Sequence, residues 1–335
     1  MKGRDLLILA AVLLLGGFAV ADVLRESATS EPREARPPAT EPATTSTEEE
    51  PALRQLPPVS GVGGDFTFTE VGSCAVREVD LPTGLVYLNV VRASTCELWA
   101  APVTAKVAVG IGEPRGDAVP FRFIDLSAPG VELGGGEALF GALFWSEDGQ
   151  RAAWCNGQRI GFDLELGARR RQLPDCPTAY SPDGEVVYAR GDRLFVEDRP
   201  GLQASGTITK VHYGSDGSVA VVVEGRRIER YVDGELADAL DLQERYHGRQ
   251  PTFSPDNCAA AYRAGDRIRI LDIGCSRVGP GPNGLVFPGH AAAWSSNGEW
   301  IAIGGPTEVT FYDLRGAAEP VVWDVGAVQL AWRRR

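Results

Sequence analysis

Beyond residue 61 the apolar positions come in short runs rich in Val, Ile and aromatic residues, and none is long enough for a helix. The runs 219–223 and 301–303 are representative. One phrase recurs after such runs: an aromatic residue, then a turn of Ser, Pro, Asp and Gly type. It reads Trp145-Ser146-Glu147-Asp148-Gly149, Tyr180-Ser181-Pro182-Asp183-Gly184 and Tyr213-Gly214-Ser215-Asp216-Gly217. It returns as Phe253-Ser254-Pro255-Asp256-Asn257 and Trp294-Ser295-Ser296-Asn297-Gly298. Pro presets φ, Asp accepts local N–H groups, and Gly or Asn takes the left-handed position, so each phrase predicts a tight hairpin closed by its aromatic. A second marker keeps step with the first. An Asp ends an alternating strand at Asp125, Asp163, Asp198, Asp233, Asp272 and Asp313. Between the markers lies another hairpin, usually with Gly and Arg at its tip.

The aromatics of successive phrases are 35, 33, 40 and 41 residues apart. Each unit therefore reads as four short antiparallel strands, which is the period and strand count of a propeller blade. The expected fold is an all-β propeller over 61–335. Its last strand, 327–332, ends on the aromatic that closes every inner strand and needs outer strands from the start of the domain. If 106–110 and 119–125 supply them, the ring has six blades and 66–102 is an extra hairpin layer. If Pro82-Thr83-Gly84 is a worn copy of the turn, 66–102 is a seventh blade. Six is the expectation taken.

The turns at 181–184 and 254–257 resemble the repeats of TolB-like propellers. The stretch from Gly289-His290 through Trp294 to Tyr312-Asp313 resembles a WD repeat. The resemblance covers 140–335 well and 61–139 poorly. It implies the fold and leaves function open, because propellers host scaffolds, receptors and enzymes alike.

Lys2 and Arg4 precede an uncharged apolar run, 6–21, and Ala19-Val20-Ala21 fits a secretory cleavage pattern. Residues 1–24 thus read as a hydrophobic helix, either a retained signal anchor or a cleaved signal peptide. Both place the propeller outside the cytoplasm, on a cell membrane in the first case and secreted in the second. Residues 25–60 are rich in Pro, Thr, Ser and Glu and read as a disordered stalk, which favours the anchor.

Charge and chemistry narrow the function classes. The net charge of −12 and pI of about 4.9 argue against nucleic acid as a partner. His212, His247 and His290 lack metal-ligand spacing, and no Gly-x-Ser-x-Gly elbow, phosphate-binding loop or EF-hand is present, so no cofactor or metal is expected. His247 and His290 both precede inner strands, which makes them candidates at the mouth of the central channel. The six cysteines suit three sequential disulfides, Cys74–Cys96, Cys155–Cys176 and Cys258–Cys275, as an extracytoplasmic site permits; the alternative is six buried thiols. Four hairpin tips place Arg at one spot in successive blades: Arg159, Arg193, Arg227 and Arg267. Arginine forks suit carboxylates and phosphates. The expected function is therefore a tethered, non-enzymatic binding or scaffolding module for a protein or anionic ligand. The rival readings are a propeller hydrolase or lyase working at the channel mouth, and a cell-wall glycan receptor.

Overall fold

The computed structural model describes residues 55–128, 131–166, 168–242, 251–275 and 284–334; the segment 1–24, most of the stalk and His247 lie outside them. The described residues form 28 strands in seven four-stranded antiparallel sheets, with no helix among them. Local chemistry explains the repeat. Ser146 Oγ accepts the Arg151 N–H at 2.9 Å and donates to Asp148 Oδ1 at 2.6 Å, which accepts the Gln150 N–H at 3.0 Å. Ser254 with Asp256, and Ser295 with Asn297, repeat this arrangement. The residue after the Asp or Asn is left-handed each time: Gly149, Gly217 and Gly298 have φ of +64°, +81° and +69°, and Asn257 has +55°. The aromatic before the turn ends the inner strand, as in Leu143–Trp145, Pro177–Tyr180 and Ala291–Trp294.

The ring has seven blades, not six. Lys106–Gly110 and Ala118–Asp125 do not close it; they are the middle strands of their own blade, between Leu98–Ala100 and Glu132–Leu139. That second blade escaped the repeat because its first turn reads Ala101-Pro102-Val103-Thr104-Ala105, without the Asp-Gly pair. The final strand, Ala327–Arg333, is instead the innermost strand of the first blade, beside Asp65–Glu70, Ala75–Asp80 and Leu85–Arg92. Pro82-Thr83-Gly84 joins the third and fourth strands of that blade. It follows Asp80, so Asp80 is a further member of the Asp series, and Gly84 N–H bonds Asp80 O at 2.7 Å. Blades three to seven follow in chain order, with inner strands at Leu143–Trp145, Pro177–Tyr180, Ile208–Tyr213, Thr252–Phe253 and Ala291–Trp294.

Closure is held by packing and by charge. Phe66, Phe311, Trp323 and Trp332 meet edge to face, with Phe66 to Phe311 at 5.1 Å and Phe66 to Trp332 at 5.6 Å. The Arg333 guanidinium lies between the carboxylates of Asp65 and Glu78, and all three side chains are largely buried. Residues 55–60, assigned by composition to the stalk, pack on this same blade. Leu56 and Val59 are buried there, Val59 N–H bonds Leu81 O at 2.9 Å, and Trp323 Nε1 donates to Pro57 O at 2.8 Å. Their apolar residues are too sparse to stand out as a run.

The three cysteine pairs are disulfide-bonded as the spacing suggested. Cys74–Cys96 ties the second hairpin of blade one to the link into blade two, and Cys155–Cys176 does the same between blades three and four. Cys258–Cys275 braces blade six at its opposite end.

The closing strand and the disulfides each set an expectation for stability. Arg333→Ala removes the cation shared by two buried carboxylates and should cost about 3–5 kcal/mol in urea unfolding; a midpoint equal to the parent protein contradicts the clasp. Non-reducing mass mapping should recover the three pairs, each stabilising by about 3 kcal/mol on the loop-entropy account. Reduction should therefore lower Tm, and six free thiols in protein from its native envelope would contradict the pairing.

Candidate binding face

Four-stranded meanders give each blade two ends. The Asp-bearing turns, and the connections from third to fourth strand, lie on one face of the disc, the turn face. The second hairpins and the links into the next blade share the other, the tip face. Arg159 is exposed in the hairpin between Arg151–Cys155 and Gly161–Glu165, with φ of +60°. Arg193, Arg227 and Arg267 are each the first residue of a third strand, paired with Arg190, Val223 and Ala264. All four thus sit at the tips of successive blades.

They are not equivalent. Arg193 reaches Gln203 Oε1 at 3.1 Å, and Arg267 stays exposed with its Nε 3.8 Å from Asp266. Arg227 is structural: its Nε donates at 3.0 Å to Glu229, a carboxylate with no exposed surface, and it also meets Asp241 at 3.3 Å. Burial opposes ionisation of Glu229, but hydrogen bonds from Ser205, Tyr231 and Arg227 outweigh it and hold the carboxyl below its ordinary range. Of the four tip arginines, three are therefore adaptable.

His290 lies on the same face, in the link into blade seven. One ring nitrogen, Nε2, is 2.8 Å from Ala327 O, so it carries the proton and Nδ1 is left as acceptor. Burial lowers its pKa, with a further contribution from Arg263. The ring borders a cleft of about 380 Å³ between blades six and seven, shared with Arg263, Asp266, Thr307 and Glu308. The expected approach of His247 to His290 falls outside the described residues. Among those residues no group of three His, Cys, Asp or Glu is placed to hold a metal.

His212 joins two blades. Its Nδ1 is 2.7 Å from Asn257 Oδ1, and Asn257 Nδ2 donates to Ser218 O and Oγ, both at 3.1 Å. The amide nitrogen is committed as donor, so His212 Nδ1 bears the proton. Burial pushes this imidazole down to about 4. Asn stands here where four other blades use Gly, and its side chain latches blade six to blade five.

Sequence reasoning missed Arg169-Arg170-Arg171, which belongs to no repeat. The run spans the third connection of blade three, on the turn face, and all three are exposed. Arg170 lies over the Phe162 ring at 4.6 Å. Arg171 donates at 2.9 Å to buried Asp163, which also takes Arg151 Nη2 at 2.5 Å and the Tyr180 hydroxyl at 2.7 Å. A local count of cations would have found it.

No protein-family model and no curated protein matches the chain. Solved structures similar to it include the following two. The β-propeller domain of Cps50 (Swd1) from Myceliophteria thermophila has 13% identity and a TM-score of 0.44, covering 68% of this chain and 89% of that one. TolB from Acinetobacter baumannii has 14% identity and a TM-score of 0.48, covering 81% and 67% respectively. The seven-bladed assignment rests on the strand pairing of this chain itself.

The latch sets two expectations. Asn257→Gly relieves a left-handed backbone yet should destabilise by about 1–3 kcal/mol, because several buried hydrogen bonds are lost; a more stable variant would show the latch to be incidental. His212, with its folded pKa depressed, is protonated first in the unfolded chain. Stability should therefore fall as pH drops from about 6.5 towards 4. His212→Gln should flatten that part of the stability profile, and an unchanged slope would place the titration elsewhere.

Proposed function

We propose that the chain is a membrane-tethered, extracytoplasmic propeller that binds an acidic protein segment, or another anionic ligand, on its tip face. The observation carrying this reading is the recurrence of Arg at the tips of four successive blades, with Arg159, Arg193 and Arg267 exposed. Guanidinium forks spaced along a broad face suit several carboxylates on one extended partner. Three disulfides suit an oxidising compartment. The apolar run after Lys2 and Arg4 supplies the tether. No helix among the described residues is long and apolar enough to cross a membrane, and the run lies outside them. The cleft beside His290 favours binding over proton transfer, since His290 is engaged with Ala327 and Asp266 and Glu308 are exposed.

The test replaces Arg159, Arg193 and Arg267 with Ser and keeps Arg227, which the fold uses. Crosslinking in the native envelope should capture a partner with the parent protein and lose it with the triple variant at unchanged Tm. Capture should also weaken as salt screens exposed charge over about 8 Å. Undiminished capture by the triple variant would contradict the reading. A reporter fused near Glu50 should signal a position outside the cytoplasm, and a cytoplasmic signal would contradict the extracytoplasmic placement.

A further inference from the structure

We propose that the rim of blade three on the turn face docks on anionic lipid, with Arg169, Arg170 and Arg171 meeting headgroup phosphates. The tether reading supplies the reason for a nearby bilayer; the charge and geometry stand without it. Residues 1–54 join the propeller at Gln55, which bridges Leu85 at the start of the fourth strand of blade one. Leu56 N–H to Gly84 O and Val59 N–H to Leu81 O, both 2.9 Å, hold this stretch beside a third-to-fourth-strand connection. The tethering chain therefore meets the disc at the turn face. Attachment there allows that face to approach the bilayer and leaves the tips for a partner.

The guanidiniums of the run are held ready. Arg170 stands over the Phe162 ring at 4.6 Å while its side chain stays exposed. Arg171 gives one nitrogen to Asp163 while its side chain stays 58% exposed, and Arg169 has no ion pair among the described residues. Asp163 cannot neutralise the run, because its single charge is already shared with Arg151. Glu165, with Glu147 and Asp148 on the blade's first turn, gives the remaining carboxylates at this end of blade three, and Lys106, bound to Gln150 beside the connection, adds a further cation. The run itself concentrates three cations in a chain of net charge −12. Glu197 and Asp198 of blade four border it and would be repelled, so contact is by the blade-three rim and not by the whole face.

Phosphodiesters in a bilayer plane offer adjacent guanidiniums separate anions, and several basic residues together give appreciable attraction to an anionic surface. One soluble phosphate engages only part of the run. A planar array of phosphates fits better than a single ion.

The full chain is placed in nanodiscs of phosphatidylcholine alone or mixed with phosphatidylglycerol, and amide hydrogen exchange is followed over 165–172. Exchange should slow about ten-fold in the anionic discs, an effect expected from two or three basic contacts. Arg169→Ser with Arg170→Ser should abolish the difference; Arg171 is kept so that Asp163 retains its partner. The triple tip variant should behave as the parent protein, since its changes lie on the other face. If the chain does not insert, the tether reading fails, and cosedimentation with preformed vesicles of the same compositions tests the patch. Binding to anionic vesicles should then weaken about ten-fold in the double variant. Equal exchange in the two lipids, or equal binding by parent and double variant, would overturn the proposal. So would loss of binding in inorganic phosphate beyond that in sodium chloride of matched ionic strength, which would mark a single-anion site.

Discussion

Ring closure is the constraint on which the rest of this molecule depends. The last strand of the chain is the innermost strand of the first blade, so no ring is complete until both ends of the propeller have met. Closure removes two sheet edges that would otherwise template association. It also buries the aromatic cluster between blades one and seven and brings Arg333 to Asp65 and Glu78. On the far side of the same strand, Gln329 Oε1 accepts the Leu98 N–H at 2.8 Å and joins blade one to blade two. Such contacts span nearly the whole domain and are slow to find. The disulfides do the opposite, stapling residues 17, 21 and 22 apart. Local covalent braces and a non-local seam are complementary: the braces secure neighbouring strands, and the seam secures the ring.

Closure also separates two faces with different charge logic. On the turn face carboxylates are built into the hairpins as acceptors, and Asp148 and Asp216 are held below their ordinary range by such bonds, burial notwithstanding for Asp216. Their charge is partly spent on the backbone. On the tip face Arg side chains stand beside short turns and bind neighbours where these exist, as Arg227 does with Glu229 and Asp241. A tip arginine is thus available to a partner only where no buried acid claims it. That distinction needs coordinates, since Gly225-Arg226-Arg227-Ile228 and Gly265-Asp266-Arg267-Ile268 look alike as sequence.

Much of the fold was legible because its turns are chemically demanding. A left-handed residue after Asp or Asn favours Gly or Asn, and a Ser hydroxyl commonly closes the hairpin, so the pattern survives in five blades. It fails in two places for physical reasons. Blade two turns through Ala101 to Ala105 without those residues, and blade one has its inner strand at the other end of the chain. Counting blades from the phrase alone therefore falls short, whereas Asp80 marks the missing unit. Cys74–Cys96 and Cys258–Cys275 were legible because hairpin registry sets their members opposite each other, and Cys155–Cys176 because both sit on one face. The candidate site was only partly so. The shared face of the four tip arginines follows from topology, but the burial of Glu229, the His212–Asn257 latch and the Phe162–Arg170 contact are relations between strands that no spacing encodes.

Native-state hydrogen exchange of the closing strand tests the central claim most directly. If Ala327–Arg333 is the innermost strand of blade one, its paired amides and those of Asp65–Glu70 should open together, with a free energy near that of global unfolding. Arg333→Ala should lower both by the same amount. Exchange of 327–333 at the rate of a frayed terminus, with 65–70 still protected, would contradict closure of the ring and with it the assignment of the two faces.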